Sequence, residues 1–193
     1  MMSIQSQERQ YHYQLLARLF RAPVDPALLE SLAAMEIDAA DEKLNQAWRQ
    51  LIHQAASENT AKLGEEFHQL FIGLGRGELM PYLSYYETGF LMEKPLARLR
   101  ADLSKLGFKR QADNCEPEDH IAAIAEVMAM LIQENQHQQA FFNAYIVSWF
   151  PDFFEDVKKT SCSRFYPLLA NMGAEFISQE KRFLAFLSER TGV

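Results

Sequence analysis

Asn114-Cys115-Glu116-Pro117-Glu118-Asp119-His120 is a polar, proline-containing stretch. It lies just past the midpoint of a 193-residue chain and interrupts two long runs of helical pattern. Downstream of it, Ile121, Ile124, Val127, Met128, Leu131 and Ile132 recur at the spacing of one buried helix face. A proline fixes φ and removes a backbone donor, so Pro117 suits a first helical turn and not a helix interior. The stretch therefore reads as the mouth of a helix starting near Pro117. Glu116, Glu118, Asp119 and His120 crowd four ionisable groups into five positions at that mouth.

On its N-terminal side, Phe108–Asn114 is polar and connecting, and Gly107 marks the end of a predicted helix over 94–106. Before it comes Met80-Pro81-Tyr82-Leu83-Ser84-Tyr85-Tyr86-Glu87-Thr88-Gly89, which reads as a stiff, irregular, amphipathic surface, either a lid on the core or a recognition surface. Earlier helices are predicted from Ser3 or Ser6 through Phe20, over 27–35, over 41–55 and over 59–72. Asp25-Pro26 reads as an N-cap followed by a first-turn proline. Toward the C-terminus a helix is predicted over 138–150, stopped by Pro151, then a short one over 152–159. A long last helix is capped by Ser161 or Ser163, with Gly173 weakening it a little. No segment alternates with the period of a strand between hairpin signals. The expected fold class is all-α: a helical bundle of two sub-bundles joined by a polar hinge near 108–117. The domain reading is an N-terminal helical subdomain over 1–110, a hinge over 111–119 and a C-terminal helical subdomain over 120–193.

Composition narrows the function classes. Apolar residues make up 48% and aromatics 12%, enough for a well-buried interior. Nineteen basic against 26 acidic residues give a net charge of −7, which argues against nonspecific nucleic-acid binding and suits a basic partner. Cys115 and Cys162 form neither a metal nor a disulfide spacing, and the start lacks the basic-then-apolar order of a signal peptide. A cytoplasmic protein with no membrane span is expected.

Catalytic readings find little support. Glu65-Glu66-Phe67-His68 and Glu134-Asn135-Gln136-His137 offer two Glu-x-x-His pairs, the ligand pattern of di-iron bundles. On a helical wheel both pairs fall away from the apolar stripe, toward solvent. Gly73-Leu74-Gly75-Arg76-Gly77 lacks the P-loop pattern and a preceding strand, and reads as a helix end plus a loop. No nucleophile constellation stands out, so no catalytic and no metal-ligating residue is assigned. Asp119 suits the first turn of a helix by its charge, whereas a charged His120 would be disfavoured there. A neutral His120, hydrogen-bonded to a neighbouring backbone group or tyrosine, is the easier state. The residues alone leave open whether this cluster is a helix start or a functional site.

Three motifs in order resemble the TorD/DmsD/NarJ family of chaperones for molybdenum-cofactor oxidoreductases. The first is Glu66-Phe67-His68-Gln69-Leu70-Phe71 followed by Pro81-Tyr82-Leu83-Ser84-Tyr85; the second is Glu116-Pro117-Glu118-Asp119-His120; the third is Trp149-Phe150-Pro151-Asp152-Phe153. Tyr145 stands where the family often has a histidine. The resemblance implies a non-enzymatic chaperone. It would bind the twin-arginine signal peptide of an apo-oxidoreductase, hold it from premature export and help the enzyme accept its molybdopterin guanine dinucleotide cofactor. It also implies a peptide site at or beside Pro81, Tyr82, Ser84, Tyr85, Glu116, Pro117, Asp119 and His120. Asp119 would meet a peptide arginine, and His120 would order the hinge or contact the peptide backbone. Phe67, Leu70 and Phe71 would join Tyr82 and Tyr85 in a groove for the apolar part of the peptide. Weak contact with GTP or molybdopterin guanine dinucleotide is carried by the resemblance alone, and the expected state is a monomer or a domain-swapped dimer. The alternative is a metal- or nucleotide-dependent enzyme on a helical bundle, motivated by the Glu-x-x-His pairs, His120 and the glycine run.

Overall fold

The structure is a computed structural model that describes residues 3–37, 42–73, 77–111 and 116–191. Among them are ten α-helices and no strand. The chain divides into two compact units, each assembled from two separate segments. Unit 1 takes Met1–Arg21 and Met80–Trp149; unit 2 takes Ala22–Leu79 and Phe150–Val193. The sequence-based reading expects contiguous subdomains instead, with a hinge of which residues 112–115 lie outside the described residues.

Unit 1 is built on α1 (Ile4–Arg21) packed against α7 (Ile121–Glu134). The pair is antiparallel: Gln10 Nε2 donates to Gln133 at 3.1 Å, while Arg21, at the end of α1, pairs at 2.6 Å with Glu126, nearer the start of α7. Leu16, Leu19 and Phe20 of α1 and Ile121, Ile124, Ala125 and Met128 of α7 are all buried, which is where the three-to-four periodicity of both helices goes. α5 (Leu83–Thr88), α6 (Lys94–Lys105) and α8 (Gln138–Tyr145) complete the unit. α6 ends where expected, at Gly107 with φ +84.

Three expected boundaries differ in unit 1, one of them the end of α8, at Tyr145 rather than 150. The tyrosine-rich segment is helical rather than irregular, ending at Gly89 in the left-handed region. The helix after Pro117 begins only at Ile121, because Pro117–His120 forms a turn (His120 N to Pro117 O, 3.2 Å) and His120 is the N-cap.

Unit 2 holds α2 (Pro26–Ala33), α3 (Lys43–Ala55), α4 (Thr60–Phe67), α9 (Phe150–Lys158) and α10 (Phe165–Thr191). Asp25 caps α2 as its sequence suggests, accepting from Leu28 N at 2.8 Å. α9 begins at Phe150 with Pro151 in its first turn, so the proline opens a helix here instead of stopping the previous one. Ser163 caps α10, its Oγ accepting from Tyr166 N at 3.0 Å. The same hydroxyl donates to the buried Glu66 carboxylate at 2.7 Å, which ties α4 to the start of α10.

α4 runs on into a single π-helical turn over His68–Ile72. The widened turn leaves carbonyls of Gln69 and Leu70 to accept from Glu78 N (3.3 Å) and Leu79 N (2.8 Å). That strand-like approach explains Gly77, since a Cβ there would lie 2.5 Å from the Phe71 carbonyl carbon. Gly73, at φ 60 and ψ 179, takes a conformation open essentially only to glycine. Both described ends of the glycine run thus have packing reasons; residues 74–76 lie outside the described residues.

Candidate functional site

Two segments the sequence reading singles out meet within unit 1. Leu83 N donates to Asp119 O at 2.9 Å and Ile121 N donates to Pro81 O at 2.8 Å, an antiparallel bridge centred on Tyr82 and His120. The Tyr82 ring stands edge-on to the His120 imidazole, 5.1 Å between centroids. Tyr82 OH donates to the exposed Glu116 carboxylate. Burial first, then the Glu116 carboxylate, push the Tyr82 hydroxyl above its ordinary pKa, so it stays a donor throughout the physiological range.

Asp119 is 1% exposed. Its Oδ2 accepts from Ser84 N at 3.0 Å and from Ser84 Oγ. It therefore satisfies an amide in the first turn of α5 that no local side chain reaches. Its Oδ1 is buried with no hydrogen-bond partner among the described residues. His120 is 7% exposed; its Nδ1 accepts from Ala122 N at 3.1 Å, which fixes the proton on Nε2. Burial, and after it the charge of Arg21, lower its pKa to about 3, so the imidazole is neutral. The neutral, backbone-bonded His120 is the state its helix-start position favours.

The remaining acid of the turn is balanced. Glu118 accepts from Arg100 Nε at 2.8 Å, with Arg110 Nη1 at 3.9 Å. Its partial burial works against ionisation, but these two guanidiniums outweigh it and hold the carboxyl below its usual range. Glu116, which accepts from Tyr82, is exposed and lies beside the half-buried Pro117 and Tyr82.

Along α5, Tyr85 and Tyr86 are half-buried and edge-on to one another at 5.8 Å. Tyr86 lies 5.5 Å from the ring of the buried Trp149, whose Nε1 donates to Tyr145 O at 2.8 Å. Tyr145 OH donates to Asp102 at 2.6 Å, and Arg98, paired with Glu87 at 2.9 Å, sits 5.5 Å over its ring. Tyr145 thus fills a packed polar corner behind α5.

Phe67, Leu70 and Phe71 belong to unit 2. Phe67 and Leu70 are 4% and 0% exposed, and Phe71 is half-buried. Phe67 and Phe71 pack on each other at 5.1 Å and on Tyr166 at 6.1 and 5.4 Å, as core aromatics do. Glu65, His68, Glu134 and His137 are all exposed, as the helical wheel indicates, and no three metal-ligating side chains converge among the described residues. Sequence reasoning missed Phe90, Leu91 and Met92, which are exposed in the α5–α6 connection. The available signal was an apolar triplet caught between a helix-ending glycine and the Glu93-Lys94-Pro95 helix start.

A family model described as nitrate reductase delta subunit matches residues 37–155, more than half of the chain. The chain belongs to this family of TorD-like redox-enzyme maturation chaperones. It is similar to the chaperone protein TorD of Actinobacillus succinogenes, 25% identical over 185 residues that cover 89% of this chain and 96% of the relative. The chaperone protein TorD of Vibrio cholerae is 28% identical over 79% of this chain and 78% of its own length. A crystal structure from Archaeoglobus fulgidus, of a protein assigned provisionally to redox-enzyme maturation, shares the fold with a TM-score of 0.62. It is 21% identical and covers 92% of this chain and 96% of its own. Both TorD relatives are chaperones by name. Among the described residues no helix is long and apolar enough to cross a membrane.

Proposed function

We propose that this TorD-family protein binds the twin-arginine signal peptide of an apo molybdenum-cofactor oxidoreductase in the cytoplasm, withholds it from export and assists cofactor insertion. The observation that carries this reading is the pairing of Pro81–Leu83 with Asp119–Ile121, which joins two motifs of the family resemblance in one compact unit. Around that joint, Glu116 offers an exposed carboxylate to a peptide arginine, and Tyr82 and Tyr85 offer aromatic area at small entropic cost. Asp119 serves the site by holding the first turn of α5, with Ser84 as its partner, and His120 by capping α7. Pro117 sets the turn between them. A net charge of −7 favours a basic ligand at long range.

The test is calorimetric titration with a synthetic twin-arginine peptide across a salt series. The wild type binds with roughly micromolar affinity, near −8 kcal/mol, weakening as salt rises. Glu116→Gln loses about tenfold and flattens the salt dependence. Asp119→Asn keeps an acceptor for Ser84 and binds within a few-fold of wild type, whereas Asp119→Ala loses binding. No binding by the wild type to any such peptide overturns the reading.

A further inference from the structure

Phe90, Leu91 and Met92 are 70%, 45% and 73% exposed, three consecutive large apolar side chains turned to water in the α5–α6 connection of unit 1. The tip is built, not loose. Gly89 closes α5 at φ +81, and Thr88 Oγ1 accepts from Phe90 N at 3.2 Å while donating to Ser84 O at 2.8 Å. Met92 is held at φ 59, a left-handed conformation unfavourable for a residue with a Cβ, immediately before Glu93 starts α6. The fold therefore keeps an unfavourable backbone conformation at a tip whose large apolar side chains are about half to three-quarters exposed. Strained residues next to an exposed apolar patch mark interaction sites.

The chain itself says what the patch faces. α5 leads directly from Tyr82, hydrogen-bonded to the exposed Glu116, through half-buried Tyr85 and Tyr86 to the uncharged segment Gly89–Met92. One end offers the Glu116 carboxylate; the other presents three consecutive apolar side chains, bounded by Glu87, which is paired with Arg98, and by the exposed Glu93. A peptide with a basic end and an adjoining apolar stretch has the complementary order. We propose that Phe90–Met92 is the docking surface for the apolar segment of the peptide whose arginine end meets Glu116. The inference rests on the signal-peptide reading above and adds to it a direction and a second contact.

The test pairs two protein forms, wild type and Phe90→Ser/Met92→Ser, with two synthetic peptides. One carries adjacent arginines followed by an apolar stretch of roughly 7–15 residues; the other has serines at the leucines of that stretch. Wild type should prefer the apolar peptide by at least about tenfold. The double variant should lose that preference while keeping its salt dependence, and its melting temperature should be unchanged or higher, since no core contact is removed. A variant that retains the preference overturns the proposal and leaves the signal-peptide reading standing. So does one whose only change, by sedimentation, is loss of self-association: the tip is then a contact between copies. If wild type binds neither peptide, both readings fall.

Discussion

Asp119 and His120 are chain neighbours that cap two different helices. The turn at Pro117 sends the Asp119 side chain to the first turn of α5 and leaves His120 extended, at φ −66 and ψ 141, over the first turn of α7. The neutrality of His120 is a stability statement. Its folded pKa of about 3 lies below the usual 6.5 because burial, then Arg21, disfavour the charged ring. The unfolded chain therefore takes up a proton that the folded chain refuses, so stability is fully present above about pH 6.5 and is lost as pH falls toward the folded value. Between pH 7.5 and 5.5 the wild type should lose about 1 kcal/mol more than His120→Asn, which caps the helix without titrating. Urea titrations at the two pH values check this; equal losses in both proteins would contradict it.

At the scale of elements, the sequence shows helices wherever their caps are local. Ser3 at α1, Asp25 at α2, Asn59 at α4 and Ser163 at α10 all bond amides three residues on. α5 escapes this reading because its capping carboxylate comes from 35 residues downstream, and six residues are too few for a periodicity. Two glycines show the same divide. Gly64 lies inside α4, and a Cβ added there would meet nothing within 4 Å, so Gly64→Ala should stabilise by about 0.5–1 kcal/mol through helix propensity. Gly173 looks equally replaceable in sequence, yet a Cβ there would lie 2.7 Å from the buried Phe154 ring. Gly173→Ala should therefore destabilise by about 1–3 kcal/mol despite its better propensity. Denaturant midpoints of the two variants moving in the same direction would contradict the packing argument.

For the whole molecule, fold class was legible because apolar periodicity reports which face of a helix is buried. It does not report against what. α1 finds α7 across more than a hundred residues, and that pairing makes the compact units discontinuous where the chain reads as successive halves. The candidate site was legible in part for the same reason. The polar turn and the tyrosine segment are visible as anomalies, but their meeting is a tertiary fact. Burial of Asp119 and exposure of Phe90 and Met92 invert the ordinary expectation for an acid and for apolar residues, so composition pointed the other way at both. In the proposed function, segments 81–92 and 116–121 act as one peptide-binding surface. Amide hydrogen exchange of the intact chain, with and without a twin-arginine peptide, tests it most directly. Both segments should slow together on binding; slowing of only one, or of residues elsewhere with these unchanged, would contradict a shared surface.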